Sequence, residues 1–428
     1  MNSSVRRTAN GRSHLRWLAG ILLVALVLRV LWVAVVQPDP RDGRTDDTWV
    51  YYTVSRTLAD GDGYVDIVEQ LPTASVLPGY PAILSLLFLL PGDDVAAARA
   101  FNVFLGVAMV AGVYYLGSRL WDRRAGLIAA GTMALFPSHI FFASLLMREP
   151  LFAAALVGFL CLALAWTIER RPSPLQVLLL GVVAGFVVMV RTEGFAVVGV
   201  IVLAWLLIHR SWRRVAAYSG LLLLGMAVLI VPWTVRNAVQ VGSPVVTYTG
   251  GGVVLAEAHH ADAGGRPAQE LSQSMGMRYA IRFQNLPQPE RDVRKDREAL
   301  ADSFRYAFTH IPGELSLMPH RLAWFFRGER DVLFFIQNAP PGEPRELSST
   351  AEGLLGGIAD GYYYAVAGVM VLGLPFWLGR MRRRHVLLWG PFAAYCAMWA
   401  FLFAGLPRYH FPLVPIFAVL GGIGLAAF

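Results

Sequence analysis

Two adjacent carboxylates, Asp46 and Asp47, precede Tyr51, Tyr52 and the turn Gly61-Asp62-Gly63-Tyr64, and this is the stretch of the chain best suited to chemistry. It lies in a polar, acid-rich segment that follows the first apolar run and closes on Leu77-Pro78-Gly79-Tyr80-Pro81. A carboxylate at a membrane surface can take a proton from an incoming hydroxyl or amine, and aromatic rings at that depth can hold a sugar or a lipid headgroup. Composition alone fits equally well an ordinary acidic loop with interfacial tyrosines.

Further charges interrupt apolar sequence. Arg148-Glu149 stands where a turn enters an apolar run, and Arg191 and Glu193 break what would otherwise be continuous hydrophobic sequence. Such residues must face protein or water, because a charge exposed to hydrocarbon is costly. For Arg148 and Glu149 the simplest alternative is a local ion pair. Arg99, Arg236 and Arg408, the last followed by Tyr409, also lie near helix ends. A guanidinium holds a phosphate through two parallel hydrogen bonds, so these three are candidate ligands for a lipid phosphate. Anchoring at helix ends is the plainer role for them, and for Arg99 above all. His259 and His260 with Glu257 and Asp262 have the composition of a metal cluster but no standard zinc spacing, so no metal ligand is assigned.

The elements that must position these groups are helices in a bilayer. Of 428 residues, 56% are hydrophobic and 15% charged, which excludes a disordered chain and an ordinary soluble one. The net charge of +8 comes from short arginine runs between apolar segments, the marking of cytoplasmic loops, and does not point to nucleic acid. Lys295 is the only lysine, so a lone arginine says less than usual. Cys161 and Cys396 fall inside apolar runs and imply neither a disulfide nor a thiolate site.

The reading is an all-α polytopic membrane protein with about ten spans: 17–36, 97–118, 125–142, 149–168, 175–190, 194–209, 214–233, 354–378, 385–404 and 409–428. Residues 1–16 form a basic cytoplasmic N-terminus, 17–235 a transmembrane module with an outer loop at 37–96, 236–353 an outer, partly helical cap, and 354–428 the last spans. The fourteen residues 77–90 are too short to cross. If they stay in the outer leaflet, the clusters at 119–124, 170–171, 210–214 and 380–384 all join the N-terminus on the cytoplasmic side. Within the cap, Val293, Leu300, Phe304 and Phe308 recur at helical spacing.

The order of these motifs resembles the polytopic GT-C glycosyltransferases of the protein mannosyltransferase and aminoarabinose transferase type. The resemblance rests on Asp47 with Tyr51, Gly61 to Tyr64, Leu77 to Pro81, Arg99, Arg124-Ala125-Gly126, Pro137, Glu149 with Leu151-Phe152, Pro232 to Asn237, and Arg408-Tyr409 with Pro412 and Pro415. It implies transfer of a monosaccharide from a polyprenyl-phosphate carrier to a hydroxyl or amine on the outer face. Asp47 or Asp46 would then be the base, Glu149 would assist, and Arg99, Arg191 and Arg408 would hold the carrier phosphate. It also implies juxtamembrane helices in the first outer loop, with 77–90 as one of them.

Relatives of this type often have Asp-Glu at positions 46–47 and a Lys-Pro-Pro run at 77–79. The choice of base and the acceptor therefore stay open. No cofactor is required by this reading, and a divalent ion stays open. The expected partners are a polyprenyl-phosphate sugar, a lipid, glycan or protein acceptor, and membrane lipids. The chain ends within its last span, from which transfer of one sugar and not a block is expected. The arginine-rich style fits a bacterial inner membrane. The competing function is a transporter or flippase of lipid-linked saccharide, which would show paired halves; no such symmetry or other repeat is present in the sequence.

Overall fold

The computed structural model describes residues 3–41, 47–66, 68–267, 274–338 and 345–427, with the side chains of residues 3–12 left aside. Asp46 lies outside the described residues. The architecture is helical throughout, and the one β-contact among the described residues is an isolated bridge between Val65 and Pro72. Among the described residues, six helices are long and apolar enough to cross a membrane: Ser13–Val35, Asp94–Leu120, Arg148–Ile168, Trp212–Gln240, Ser349–Leu378 and Pro407–Ala427. A seventh span is formed if Arg123–Ala134 and Pro137–Ser144, which meet at 59°, are taken together. The count of ten is not reached this way, because Pro174–Val190 and Gly194–His209 have 17 and 16 residues.

Those two helices nevertheless run the full depth of the molecule, whose charged residues gather at two ends. At one end, Arg384 Nη2 donates to Leu120 O (3.2 Å), Arg383 Nη1 donates to Leu207 O (2.9 Å), and Arg119 pairs with Glu169. These contacts bring the predicted cytoplasmic clusters at 119–124, 170–171, 210–214 and 380–384 to one pole. At the other end Arg191 meets Glu149, and Arg408 meets Asp47. Helix Pro174–Val190 thus climbs from the basic pole to Arg191, and Gly194–His209 returns. At about 1.5 Å per residue each covers roughly 25 Å.

The segment 77–90 does not cross. Arg99, near the start of helix Asp94–Leu120, donates from Nη2 to Pro38 O (2.8 Å), just beyond the end of the first span. Tyr52 likewise donates to Asp94 Oδ2 (3.0 Å). Both ends of the first loop therefore lie at one pole, and helix Gly79–Phe88 between them, about 15 Å long, lies within that pole. It packs with helix Asp47–Asp60; the resemblance implies juxtamembrane helices in this loop with 77–90 as one of them, and the stretch after Asp47, expected as a loop, is a second helix.

Two features explain how the spans pack so closely. A Cβ on Gly181 would meet Leu222 O at 2.2 Å, and one on Gly225 would meet Leu178 O at 2.2 Å, so helices Pro174–Val190 and Trp212–Gln240 touch backbone to backbone. Small residues at helix contacts are the usual route to tight association in a bilayer. Arg29 is the other. It is fully buried in the first span, where its guanidinium donates to Ala25 O (3.0 Å), Ala134 O (3.4 Å) and Met133 O (3.4 Å). The last two lie at the break between Arg123–Ala134 and Pro137–Phe141, where proline has no amide to donate to Met133 O, so the arginine supplies donors that the interrupted helix lacks.

Residues 236–353 contribute helices Gly251–Ala256, Met275–Arg282, Glu290–Thr309, Ile311–Phe325 and Val332–Gln337. The apolar spacing from Val293 to Phe308 thus belongs to a helix. Phe304 and Phe308, however, face outward at 43% and 74% exposure.

Candidate active site

The site pole collects charges from four separate parts of the chain. Asp47 is the first residue of helix Asp47–Asp60, where the amide ends of the helix favour a carboxylate. Arg148 and Glu149 open helix Arg148–Ala163. Arg191 ends helix Pro174–Val190 in an extended conformation, and Glu193 leads directly into the next helix. Arg408 and Tyr409 occupy the 3-10 turn Pro407–Tyr409. That turn is fixed from behind by His410, which is fully buried and placed between Phe325 O and Glu329 Oε1 (2.9 Å).

Arg191 is enclosed by acid. It donates from Nη1 to Glu149 Oε1 (2.9 Å) and from Nε and Nη2 to Glu193 Oε1 (2.9 and 2.6 Å). Its side chain and that of Glu149 are each 2% exposed. Arg408 Nη1 donates to Asp47 Oδ2 (2.7 Å). The ring of Tyr409 lies 5.4 Å from both Arg191 and Arg408, so one ring contacts both ion-paired guanidiniums.

Arg148 differs from its neighbours. It makes no ion pair with the adjacent Glu149, which binds Arg191 instead. Its Nε is buried with no hydrogen-bond partner among the described residues, and its guanidinium stands 5.8 Å from the Tyr51 ring. It lines a narrow cleft of about 40 Å³ together with Arg191, Glu193, Tyr248, Trp399 and Tyr409. Around this cleft Glu149 Oε2, Tyr395 Oη and Trp399 Nε1 are also buried without a hydrogen-bond partner. Buried polar atoms are rarely left unmatched, so such a cluster marks a place built to meet something polar.

The electrostatics favour an ionised Asp47. Burial pushes its carboxyl up, but the guanidinium of Arg408, helped by Arg148 and Arg191, outweighs that and holds it below the usual carboxylate range. Its side chain remains 42% exposed, so it stands at the mouth of the cluster and not within it. Burial likewise raises Glu193, and Arg191 overrides it, leaving the carboxyl below its ordinary value. Tyr248, pushed up to about 12 chiefly by burial, keeps its proton and is a hydrogen-bond donor at neutral pH.

The structure therefore brings together Asp47, Glu149, Arg191, Glu193, Arg408 and Tyr409. Tyr51 and Tyr80, both buried with ring centroids 5.2 Å apart, pack edge to face beside them. Two predicted phosphate ligands stand elsewhere. Arg99 is tied to Ser144 O (3.1 Å) and Pro38 O, and Arg236 donates to Thr73 O (2.6 Å) and Tyr64 O while lying over the rings of Tyr64 and Trp233. Both brace the backbone around the site. His259 bonds Glu314 (2.9 Å) and Leu402 O (3.1 Å), and among the described residues no group of three His, Cys, Asp or Glu side chains is placed to hold a metal.

Sequence reading missed Arg148 as an unpaired cation, because its acidic neighbour looked like its partner. Tyr248 and Trp399 were missed as well. An aromatic just ahead of Gly250-Gly251-Gly252 was the available signal for Tyr248, and Trp399 carried none.

Residues 74–235 match the family model for dolichyl-phosphate-mannose-protein mannosyltransferase. Comparison with curated proteins gives no match. Among solved structures, ArnT from Cupriavidus metallidurans in the apo state is similar with a TM-score of 0.56 at 15% identity, over 97% of this chain and 60% of that one. The archaeal oligosaccharyltransferase AglB from Archaeoglobus fulgidus, in complex with an inhibitory peptide and a dolichol-phosphate, is similar with a TM-score of 0.53 at 15% identity, over 97% of this chain and 50% of that one. The chain thus spans about half the length of AglB. The matched segment 74–235 includes Arg148, Glu149, Arg191 and Glu193 but neither Asp47 nor Arg408. On this fold and this partial family match, the chain resembles the GT-C membrane glycosyltransferases and the dolichyl-phosphate-mannose-protein mannosyltransferases among them.

Proposed function

We propose that the chain is an integral membrane glycosyltransferase that moves a monosaccharide from a polyprenyl-phosphate carrier to an acceptor hydroxyl or amine. The observation that carries this reading is an ionised, accessible Asp47 within electrostatic reach of Arg148, a half-buried guanidinium without an ion pair that lines the neighbouring cleft. A transfer reaction needs both: a group to take the acceptor's proton and a cation where the leaving phosphate gains charge. The lipid phosphate held by AglB supports the choice of carrier.

In the proposed step the acceptor oxygen or nitrogen attacks the anomeric carbon as Asp47 takes its proton. The bond from that carbon to the phosphate oxygen breaks, and the electron pair leaves with the polyprenyl phosphate. A carboxylate with a lowered pKa is a weak base for a resting hydroxyl. It becomes adequate as the new bond forms and the hydroxyl acidifies. Arg148 meets the growing phosphate charge, while Arg191, already neutralised by two carboxylates, keeps Glu149 and Tyr409 in place. Glu149, through its free Oε2, and Tyr248 are placed to orient sugar or acceptor hydroxyls.

By charge bias the basic pole is cytoplasmic and the site faces outward, as in a bacterial plasma membrane. The test is transfer of radiolabelled sugar from polyprenyl-phosphate donors to a membrane extract by the purified chain. Transfer by the intact protein and its loss in Asp47→Asn is the expected result. Movement of the carrier between leaflets with no transfer from any donor would replace the enzyme by a flippase.

A further inference from the structure

The basic pole holds a second cleft, of about 440 Å³, between the end of helix Asp94–Leu120 and the connection 379–385. Arg380, Arg382 and Arg384 line it, and its one lining carboxylate is Asp122. Asp122 Oδ1 accepts from Ala125 N (2.8 Å), capping the next helix. The wall is therefore three guanidiniums against one carboxylate that already serves a backbone amide. Arg384 Nη2 and His385 Nε2 both contact Leu120 O (3.2 and 2.9 Å), which fixes the floor, and Arg384 Nε is buried without a partner. Arg380 lies 5.9 Å from the Trp121 ring.

Topology signals need charge only, not concavity. Nearby Arg119 illustrates the ordinary case, being half exposed and paired with Glu169. A cleft that concentrates unpaired guanidiniums beside a tryptophan is built to receive an anion, and basic pockets between helices at a membrane surface are suited to phosphate headgroups. The helix leading into the cleft carries Leu372, Phe376 and Leu378 at 71%, 43% and 55% exposure, an apolar surface that acyl chains would cover.

We propose that this cleft binds the phosphate diester of an anionic phospholipid. The site is separate from the transferase cleft, and the claim does not depend on the activity. The test is native mass spectrometry of the detergent-purified chain titrated with phosphatidylglycerol and with phosphatidylcholine. An arginine near an anionic surface changes affinity by roughly fivefold. The Arg380→Gln/Arg382→Gln variant keeps the bond from Arg384 to Leu120, and it should lose phosphatidylglycerol by at least tenfold while phosphatidylcholine is unchanged. Adding Arg384→Gln should deepen that loss. Arg123→Gln/Arg124→Gln, at the same pole but outside the cleft, should leave binding as it was. Equal loss in that control would reduce the effect to diffuse charge, and retention of phosphatidylglycerol by the triple variant would remove the site. Displacement of the lipid by millimolar inorganic phosphate would assign the anion to solution and overturn the lipid claim.

Discussion

The two poles of this molecule use the same residue for opposite ends. At the basic pole arginines are exposed or half-buried and contact carbonyls, rings or a single surface carboxylate; Arg119 is 50% exposed. At the site pole Arg191 is 2% exposed and bound to two carboxylates, while Arg408 holds Asp47. The difference lies in desolvation. A charge pair in water is worth little because water screens it, whereas a buried charge must be matched and its loss leaves the partner stranded. Arginine count says nothing about function here; arginine environment does.

That contrast can be broken or sharpened by mutation. Asp47→Asn has the largest expected effect, a loss of about 10²–10⁴ in transfer rate with normal membrane insertion, measured as initial rate at saturating donor. Glu149→Ala should follow, because it deprives buried Arg191 of a partner. The breaking of a buried pair costs about 3–5 kcal/mol, and the retained Glu193 places this one at the low end. Thermal unfolding monitored in detergent reads it.

Arg148→Gln should lower kcat/KM for donor by roughly 10–100-fold, as expected for one charge-assisted hydrogen bond to phosphate, with little change in thermal stability. A large loss of stability instead would make Arg148 a structural residue. Arg119→Gln is the matching change at the basic pole, and it should shift stability by less than about 1 kcal/mol.

The pH dependence gives a further contrast. The folded-state pKa of Asp47 is depressed, so the stabilisation from its pair with Arg408 is present above the ordinary Asp value and is lost as pH falls through the lowered one. The acid limb of activity governed by this group should therefore lie below about pH 3.9. Removal of the cation in Arg408→Gln should move that limb upward. A limb that stays in place would separate Asp47 from Arg408.

Much of this was legible beforehand. Hydropathy located six of the ten expected spans as helices long enough to cross and arginine runs marked both poles, and the short segment 77–90 stayed on one side because its length and the charge bias agreed. Asp47, Glu149, Arg191, Glu193 and Arg408 could be named because charges that interrupt apolar sequence have few places to go. What sequence could not give was pairing. Glu149 stands beside Arg148 in the chain but binds Arg191, 42 residues on, because a helix start turns neighbouring side chains in different directions. Arg99 and Arg236 looked like phosphate ligands because their backbone carbonyl partners leave no trace in sequence. Arg29 went unnoticed for the same reason, since the carbonyls it binds lie at a helix break 104 residues away.

The most direct test separates binding from turnover in one preparation: polyprenyl-phosphate binding and sugar transfer measured side by side for the intact chain, Asp47→Asn and Arg148→Gln. The account predicts that Asp47→Asn binds carrier as the intact chain does but fails to transfer, whereas Arg148→Gln loses carrier affinity and, with it, transfer at low donor. Wild-type binding and transfer in both variants would contradict it.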